Sequence, residues 1–221
     1  MDTKDLTSSS LRSADARAYL YTMFRILFDA PMTANAARLL LDPQTTEALA
    51  VATGSGEASN AFEASEAYAA IKAVACGEKS ALDKMEGEFN RAFVGPTTLV
   101  APPWESVWVN EDRSLLQEST LDVRRAYAEA GFTVADKGAT IDDHVAVECE
   151  FLARVYQQGI QALEEGNEGA ARKSLDRAAS FEHEHLSRMT TPLARALENR
   201  CPVYAAIARL LDRMATTHPA P

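Results

Sequence analysis

The chain has little of what would staple a small fold or carry redox chemistry. Its 221 residues include three cysteines, Cys76, Cys149 and Cys201, odd in number and far apart. This excludes a disulfide framework and a CxxC zinc or redox pair, and predicts reduced, packed thiols. Positive charge is also short: 22 lysines and arginines stand against 32 acids, for a formal net charge of -10. Phosphate neutralisation needs the opposite balance, so nucleic acid is excluded as a partner and a basic peptide is favoured. No apolar run reaches the roughly 18 to 20 residues of a membrane span, and Met1-Asp2-Thr3-Lys4-Asp5 lacks the basic-then-apolar order of a secretory signal. The expectation is a cytoplasmic protein with no stable membrane insertion. Alternating strand runs, internal repeats, a Gly-x-x-x-x-Gly-Lys phosphate loop and a Gly-x-Ser-x-Gly elbow are missing too, which argues against a nucleotide-dependent enzyme or a serine hydrolase.

What is present is apolar material, 47% of the chain, enough for a substantial core and spaced for helices. Ala14, Ala18, Tyr21, Phe24 and Phe28 recur at three- and four-residue steps and predict a first helix over 13–28, closed by Pro31. A short helix follows over 35–41. Asp42-Pro43 then supplies an N-cap with proline in the first turn, and Gly54 ends that third helix. Further helices are predicted over 60–75, from Ser80 through Phe93 with Ser80 and Asp83 as a capping box, over 115–130 before Gly131, from Asp142 through Leu163, and from beyond Asn167 to about Thr190. Pro192 and Pro202 each open a shorter one. The fold class is therefore all-α, with about nine to ten helices in one domain over 1–221. An N-terminal part, about 10–110, packs on a C-terminal part, about 114–216, and 217–221 form a frayed tail.

Two segments resist this pattern. Between Gly95 and Asn110, Pro96, Pro102 and Pro103 exclude a helix, while Trp104, Val107 and Trp108 are too apolar for a free linker, which predicts an ordered loop packed on the protein. A second loop, polar, is predicted over 135–140. Immediately after it come Asp142-Asp143-His144, then Glu148 and Glu150. On a helix His144, Glu148 and Phe151 form one stripe, beside a core-facing stripe of Val145, Cys149, Leu152 and Tyr156. Two readings stay open. In one, Asp142 or Asp143 caps the helix and His144 pairs with Glu148. In the other, the carboxylates ring a pocket that accepts guanidinium groups.

The order Glu88-Phe89-Asn90-Arg91-Ala92-Phe93-Val94-Gly95-Pro96, Pro103-Trp104-Glu105-Ser106-Val107-Trp108, then Asp143-His144 with Glu148 and Phe151-Leu152, resembles the TorD/DmsD family of redox-enzyme maturation chaperones. Phe181, His185-Leu186 and Pro192 are similar to its later His-Leu motif, and the likeness runs from Leu27-Phe28-Asp29-Ala30-Pro31 to about Pro192. Ile141 stands where the family often has proline, and Met189 where it often has tryptophan. The resemblance implies an all-helical chaperone, not an enzyme, that needs no cofactor. It would bind the twin-arginine signal peptide and apoprotein of a molybdenum oxidoreductase until cofactor insertion and before export. It implies peptide-contacting or pocket-shaping roles for Trp104, Glu105, Asp142, Asp143, His144 and Glu148, with Trp108 better read as an apolar plug. The family also implies a monomer or an exchanged dimer, with the loop before Asn110 as hinge. The alternatives are a helical interaction module or regulator with another client and, last, a metal-dependent enzyme. The Glu182-His183-Glu184-His185 run offers one Glu-x-x-His, but no second such pair precedes His144.

Overall fold

The computed structural model describes residues 3–96, 98–134 and 141–217. Both the predicted loop over 135–140 and the tail beyond Thr217 lie outside the described residues. The architecture is all-α, as α1 (Thr3–Asp29), α2 (Ala34–Leu40), α3 (Pro43–Thr53), α4 (Glu57–Glu63), α5 (Glu66–Ala75), α6 (Lys79–Phe89), α7 (Glu105–Val109), α8 (Glu118–Glu129), α9 (Val145–Glu164), α10 (Glu168–Phe181), α11 (Ser187–Leu197) and α12 (Pro202–Thr216). Two five-residue π-helical turns, π1 (Asn90–Val94) and π2 (Glu182–Leu186), continue α6 and join α10 to α11.

The long helices α1 and α9 pack along each other at the centre. Leu20, Tyr21, Phe24, Leu27 and Phe28 of α1 are buried, as is the α9 stripe of Val145, Cys149, Leu152 and Tyr156. Next, α10 packs against α9 so closely that a Cβ on Gly159 would stand 3.0 Å from the end of the Leu175 side chain, which would have to shift to admit it. Helix α12, paired with α11, reaches back to α3, α4, α5 and α6.

Several helix boundaries differ from the expected ones for identifiable reasons. The single helix expected over 60–75 is two, because the Ser65 hydroxyl caps a new start by accepting the Tyr68 N–H. Helix α6 starts at Lys79, with no side-chain cap from Ser80. Pro192 does not open a helix but sits inside α11, where Met189, Leu193, Ala194 and Leu197 are buried and α12 packs against the helix. That packing outweighs the lost backbone hydrogen bond. Asp42, Pro43 and Gly54 act as expected: the Asp42 carboxylate accepts the Gln44 N–H at 2.8 Å, and Gly54 takes a left-handed φ of 68° at the C-terminus of α3.

Candidate functional site

The proline-rich loop is held against the start of α9 by a short antiparallel bridge between Trp104 and His144. Glu105 N–H donates to the Asp143 carbonyl at 2.9 Å, and Val145 N–H donates to the Pro103 carbonyl at 2.8 Å. The Trp104 and His144 rings meet edge to face, 6.0 Å apart. Trp108 fills the plug role: its indole N–H donates to the Pro102 carbonyl at 2.8 Å.

This bridge redistributes the roles of the acids. Neither Asp142 nor Asp143 caps α9, which begins at Val145; the cap is His144, whose Nδ1 accepts the Ala146 N–H at 3.1 Å. An accepting Nδ1 carries no proton. Burial keeps it so, pulling the His144 pKa down to about 4 against the opposing pull of Asp29 and Asp143. The expected His144–Glu148 pair is therefore replaced by a backbone cap. Asp143 instead serves α7: its Oδ2 accepts the Ser106 N–H at 2.8 Å and the Thr120 hydroxyl at 3.2 Å. Trp104, at the N-cap of α7, has no side-chain acceptor, and Asp143 supplies one from across the bridge.

Glu105, Asp143 and Glu148 are all fully buried, so Glu148 lies inside the core and not at its edge. Glu105 Oε2 stands 3.1 Å from His185 Nδ1, and Glu105 Oε1 stands 3.6 Å from the guanidinium of Arg188, a residue half exposed on α11. Glu148 finds no hydrogen-bond partner for either oxygen. Burial first, then the nearby Glu105 and Asp143 charges, push its pKa well above the ordinary carboxylate range, which favours the protonated carboxyl group. Asp142 lies nearer the surface. Its Oδ2 takes a two-pronged contact from Arg124 of α8, with the Nε arm at 2.8 Å, while the Tyr127 hydroxyl donates to its carbonyl at 2.9 Å. Of the six residues singled out in the sequence, the bridge brings Trp104, Glu105, Asp143 and His144 together. Glu148 lies beneath them, and Asp142 takes the rim.

The sequence reading missed Arg124, Arg188, Ser106 and Thr120. A signal existed for Arg188, which stands three residues after His185 and so on the same helix face. The Glu-x-x-His of π2 does not converge on one point: Glu182 meets Arg17, Tyr21 and Tyr156, whereas His185 meets Glu105. Two clefts, of about 310 Å³ between α4 and α12 and about 200 Å³ between α1 and α3, do not border this cluster.

The fold and the site define an all-α protein that gathers carboxyl groups beneath a Trp–His bridge at a helix start. The family described as nitrate reductase delta subunit matches residues 57–195, more than half of the chain, and the chain belongs to that family, the TorD/DmsD group its motifs resemble. The chain is also similar to the Tat proofreading chaperone DmsD of Salmonella paratyphi A and of Salmonella typhi, 36% identical to each over 56 residues. That match covers 25% of this chain and 28% of each relative's length. A solved structure of a proposed redox enzyme maturation protein from Archaeoglobus fulgidus aligns with a TM-score of 0.49 at 19% identity, over 89% of this chain and 91% of that one.

Proposed function

We propose that this chain is a cytoplasmic chaperone for a redox enzyme, binding the twin-arginine leader and apo form of a molybdopterin-dependent oxidoreductase until the cofactor is inserted and before export. Family membership and the names of the relatives support the class. One observation carries the site: two of its carboxylates, Glu105 and Asp142, are each already approached by a guanidinium from an exposed arginine, Arg188 and Arg124. Arg188 traces the route by which an arginine side chain reaches a fully buried carboxylate from the surface. A leader arginine entering by the same route displaces Arg188 from Glu105, and the second displaces Arg124 from Asp142. Carboxylates suit this task because the planar guanidinium donates along two parallel directions.

The work is binding, not catalysis. Burial and the neighbouring Glu148 push the Cys149 thiol well above its ordinary pKa, which makes it a poor nucleophile. Among the described residues no helix is long and apolar enough to cross a membrane.

Calorimetry with three leader peptides tests the reading: one with paired arginines, one with both replaced by lysine and one with both replaced by glutamine. The arginine peptide should bind most tightly, lysine less so, and glutamine least, because lysine keeps the charge and loses the fork. Equal affinity for all three would remove the acidic site from recognition.

A further inference from the structure

We infer that the Trp104–His144 bridge is a proton-operated latch: a proton on Glu148 keeps the proline-rich segment closed on the start of α9, and its loss lets the segment open. The inference goes beyond leader binding and does not depend on it.

The closure rests on few bonds. Two main-chain hydrogen bonds join its sides, from Glu105 N–H to the Asp143 carbonyl at 2.9 Å and from Val145 N–H to the Pro103 carbonyl at 2.8 Å. The Ser106 N–H and the Thr120 hydroxyl add two more, both ending on Asp143 Oδ2. Each side of the bridge also carries a fully buried acid, Glu105 on one and Asp143 on the other, so closing it gathers both carboxyl groups with Glu148.

Partners are unevenly shared among the three acids. Asp143 Oδ2 accepts two donors, and Glu105 faces His185 of π2 and Arg188 of α11. Glu148 has none: both of its oxygens are buried without a hydrogen-bond partner among the described residues. A charge on Glu148 is therefore the one that the closed arrangement does least to stabilise, and a proton removes it. Burial, then Glu105 and Asp143, accordingly raise its pKa well above the ordinary 4.5. The Tyr127 hydroxyl of α8 and the Cys149 thiol of α9 feel the same Glu148 charge, are pushed above their own ordinary values, and stay neutral.

Opening separates Glu105 and Asp143 from Glu148 and admits water, which returns Glu148 toward its ordinary pKa. Above about pH 4.5 the closed form thus binds the extra proton, and closure weakens as pH rises, until the pH passes the raised pKa of Glu148. His144 sets the acid limit. Its ring lies against Trp104, and burial holds its pKa at about 4 in the closed form against the pull of Asp29 of α1 and of Asp143. Opening lets that value rise toward 6.5, so the open form binds this proton and closure strengthens as pH rises through the same window. Between about 4.5 and 6.5 the two effects oppose each other, and above 6.5 Glu148 acts alone.

The test is native-state hydrogen exchange, read at the Glu105 and Val145 amides from about pH 6.5 to 8.5 in wild type and Glu148→Gln, with the Leu152 amide within α9 as reference. Both bridge amides should be at least about tenfold less protected than Leu152, which marks an opening smaller than global unfolding. Their protection in wild type should fall by up to about tenfold per pH unit, one proton's worth, and should be independent of pH in Glu148→Gln. Equal protection of bridge and reference at every pH would show that no separate opening exists. An unchanged slope in the variant would move the proton elsewhere, and either result overturns the latch. The carboxyl carbon shift of Glu148, followed by NMR in wild type, gives a reading that needs no variant. Its midpoint should coincide with the pH at which protection levels off, and a midpoint near 4.5 would refute the proposal.

Discussion

Glu182 and His185 leave the same π turn, π2, and enter two buried polar clusters whose charges are balanced differently. In the first, Glu182 faces Arg17: both are 1% exposed, and their atoms stand 2.8 Å apart. Tyr21 and Tyr156 donate to the same Glu182 oxygen at 2.6 and 2.9 Å. The rest of the guanidinium closes helix ends, donating to the carbonyls of Ala52 at 3.0 Å, Met214 at 3.3 Å and Thr217. Burial opposes the charge on Arg17, yet Glu182 and the two tyrosines hold its pKa above the ordinary value. In the second cluster His185 and Arg188 meet Glu105, while Asp143 and Glu148 add acids with no further cation in contact among the described residues. Six of the eight buried side-chain polar atoms without a hydrogen bond among the described residues belong to this second cluster, on Trp104, Glu105, Ser106, Asp143 and Glu148.

The difference teaches how to tell a staple from a site. A buried ion pair that satisfies nearly every donor and acceptor fixes geometry, here joining α1 to the ends of α3, α10 and α12. A buried acidic group short of donors is costly to keep and is useful where a ligand brings them.

The largest effect should come from unbalancing the first cluster. Arg17→Met strands Glu182 and is expected to cost about 3 to 5 kcal/mol in urea unfolding, with a Glu182→Leu second change recovering part of it. A loss under about 1 kcal/mol would mean that the pair is not the staple described.

A smaller effect, confined to acid pH, concerns His144. Its folded pKa, about 4, lies below the ordinary 6.5, so the unfolded chain binds more protons between these values. Its contribution, at most about 3 kcal/mol, is complete above pH 6.5 and is lost as pH falls toward 4. His144→Ser keeps a good N-cap and should flatten the stability profile in that window. An unchanged slope would contradict the neutral, capping histidine.

Glu148 works in the opposite direction, with the effect smallest at acid pH. Its folded pKa is raised, so the folded chain binds the extra proton and stability declines as pH rises above about 4.5. Glu148→Gln should match wild type at low pH and exceed it increasingly toward neutral pH. Parallel profiles would show that Glu148 is ionised and paired.

Much of the frame was legible in the sequence, because apolar spacing survives tertiary context. The α9 stripe of Val145, Cys149, Leu152 and Tyr156 is buried, and the aromatic segment packs on the protein as Trp104, Val107 and Trp108 required, but it is not helix-free as the prolines suggested: the short helix α7, Glu105–Val109, starts just beyond Pro103, where no proline interrupts it. The π turns were not legible: a 3.6-residue period gives no sign of an inserted residue, so the divergence of Glu182 and His185 into two separate buried clusters does not show in their spacing. The helix start was misread for a related reason. Asp143 looks like an N-cap by residue type, but the bridge to Trp104 directs its carboxylate to Ser106 and leaves His144 at the cap. Local propensity cannot report a bond made across 37 residues.

The central claim is that Glu105 and Asp142 receive leader guanidinium groups now mimicked by Arg188 and Arg124. Its most direct measurement is a titration of the paired-arginine leader into Glu105→Gln and Asp142→Asn variants, with a thermal melt of each. Both changes keep shape and remove charge. The account predicts binding weaker by roughly 1.5 to 3 kcal/mol in each variant with melting nearly unchanged. Wild-type affinity in both would contradict it and leave these carboxylates with a structural role only.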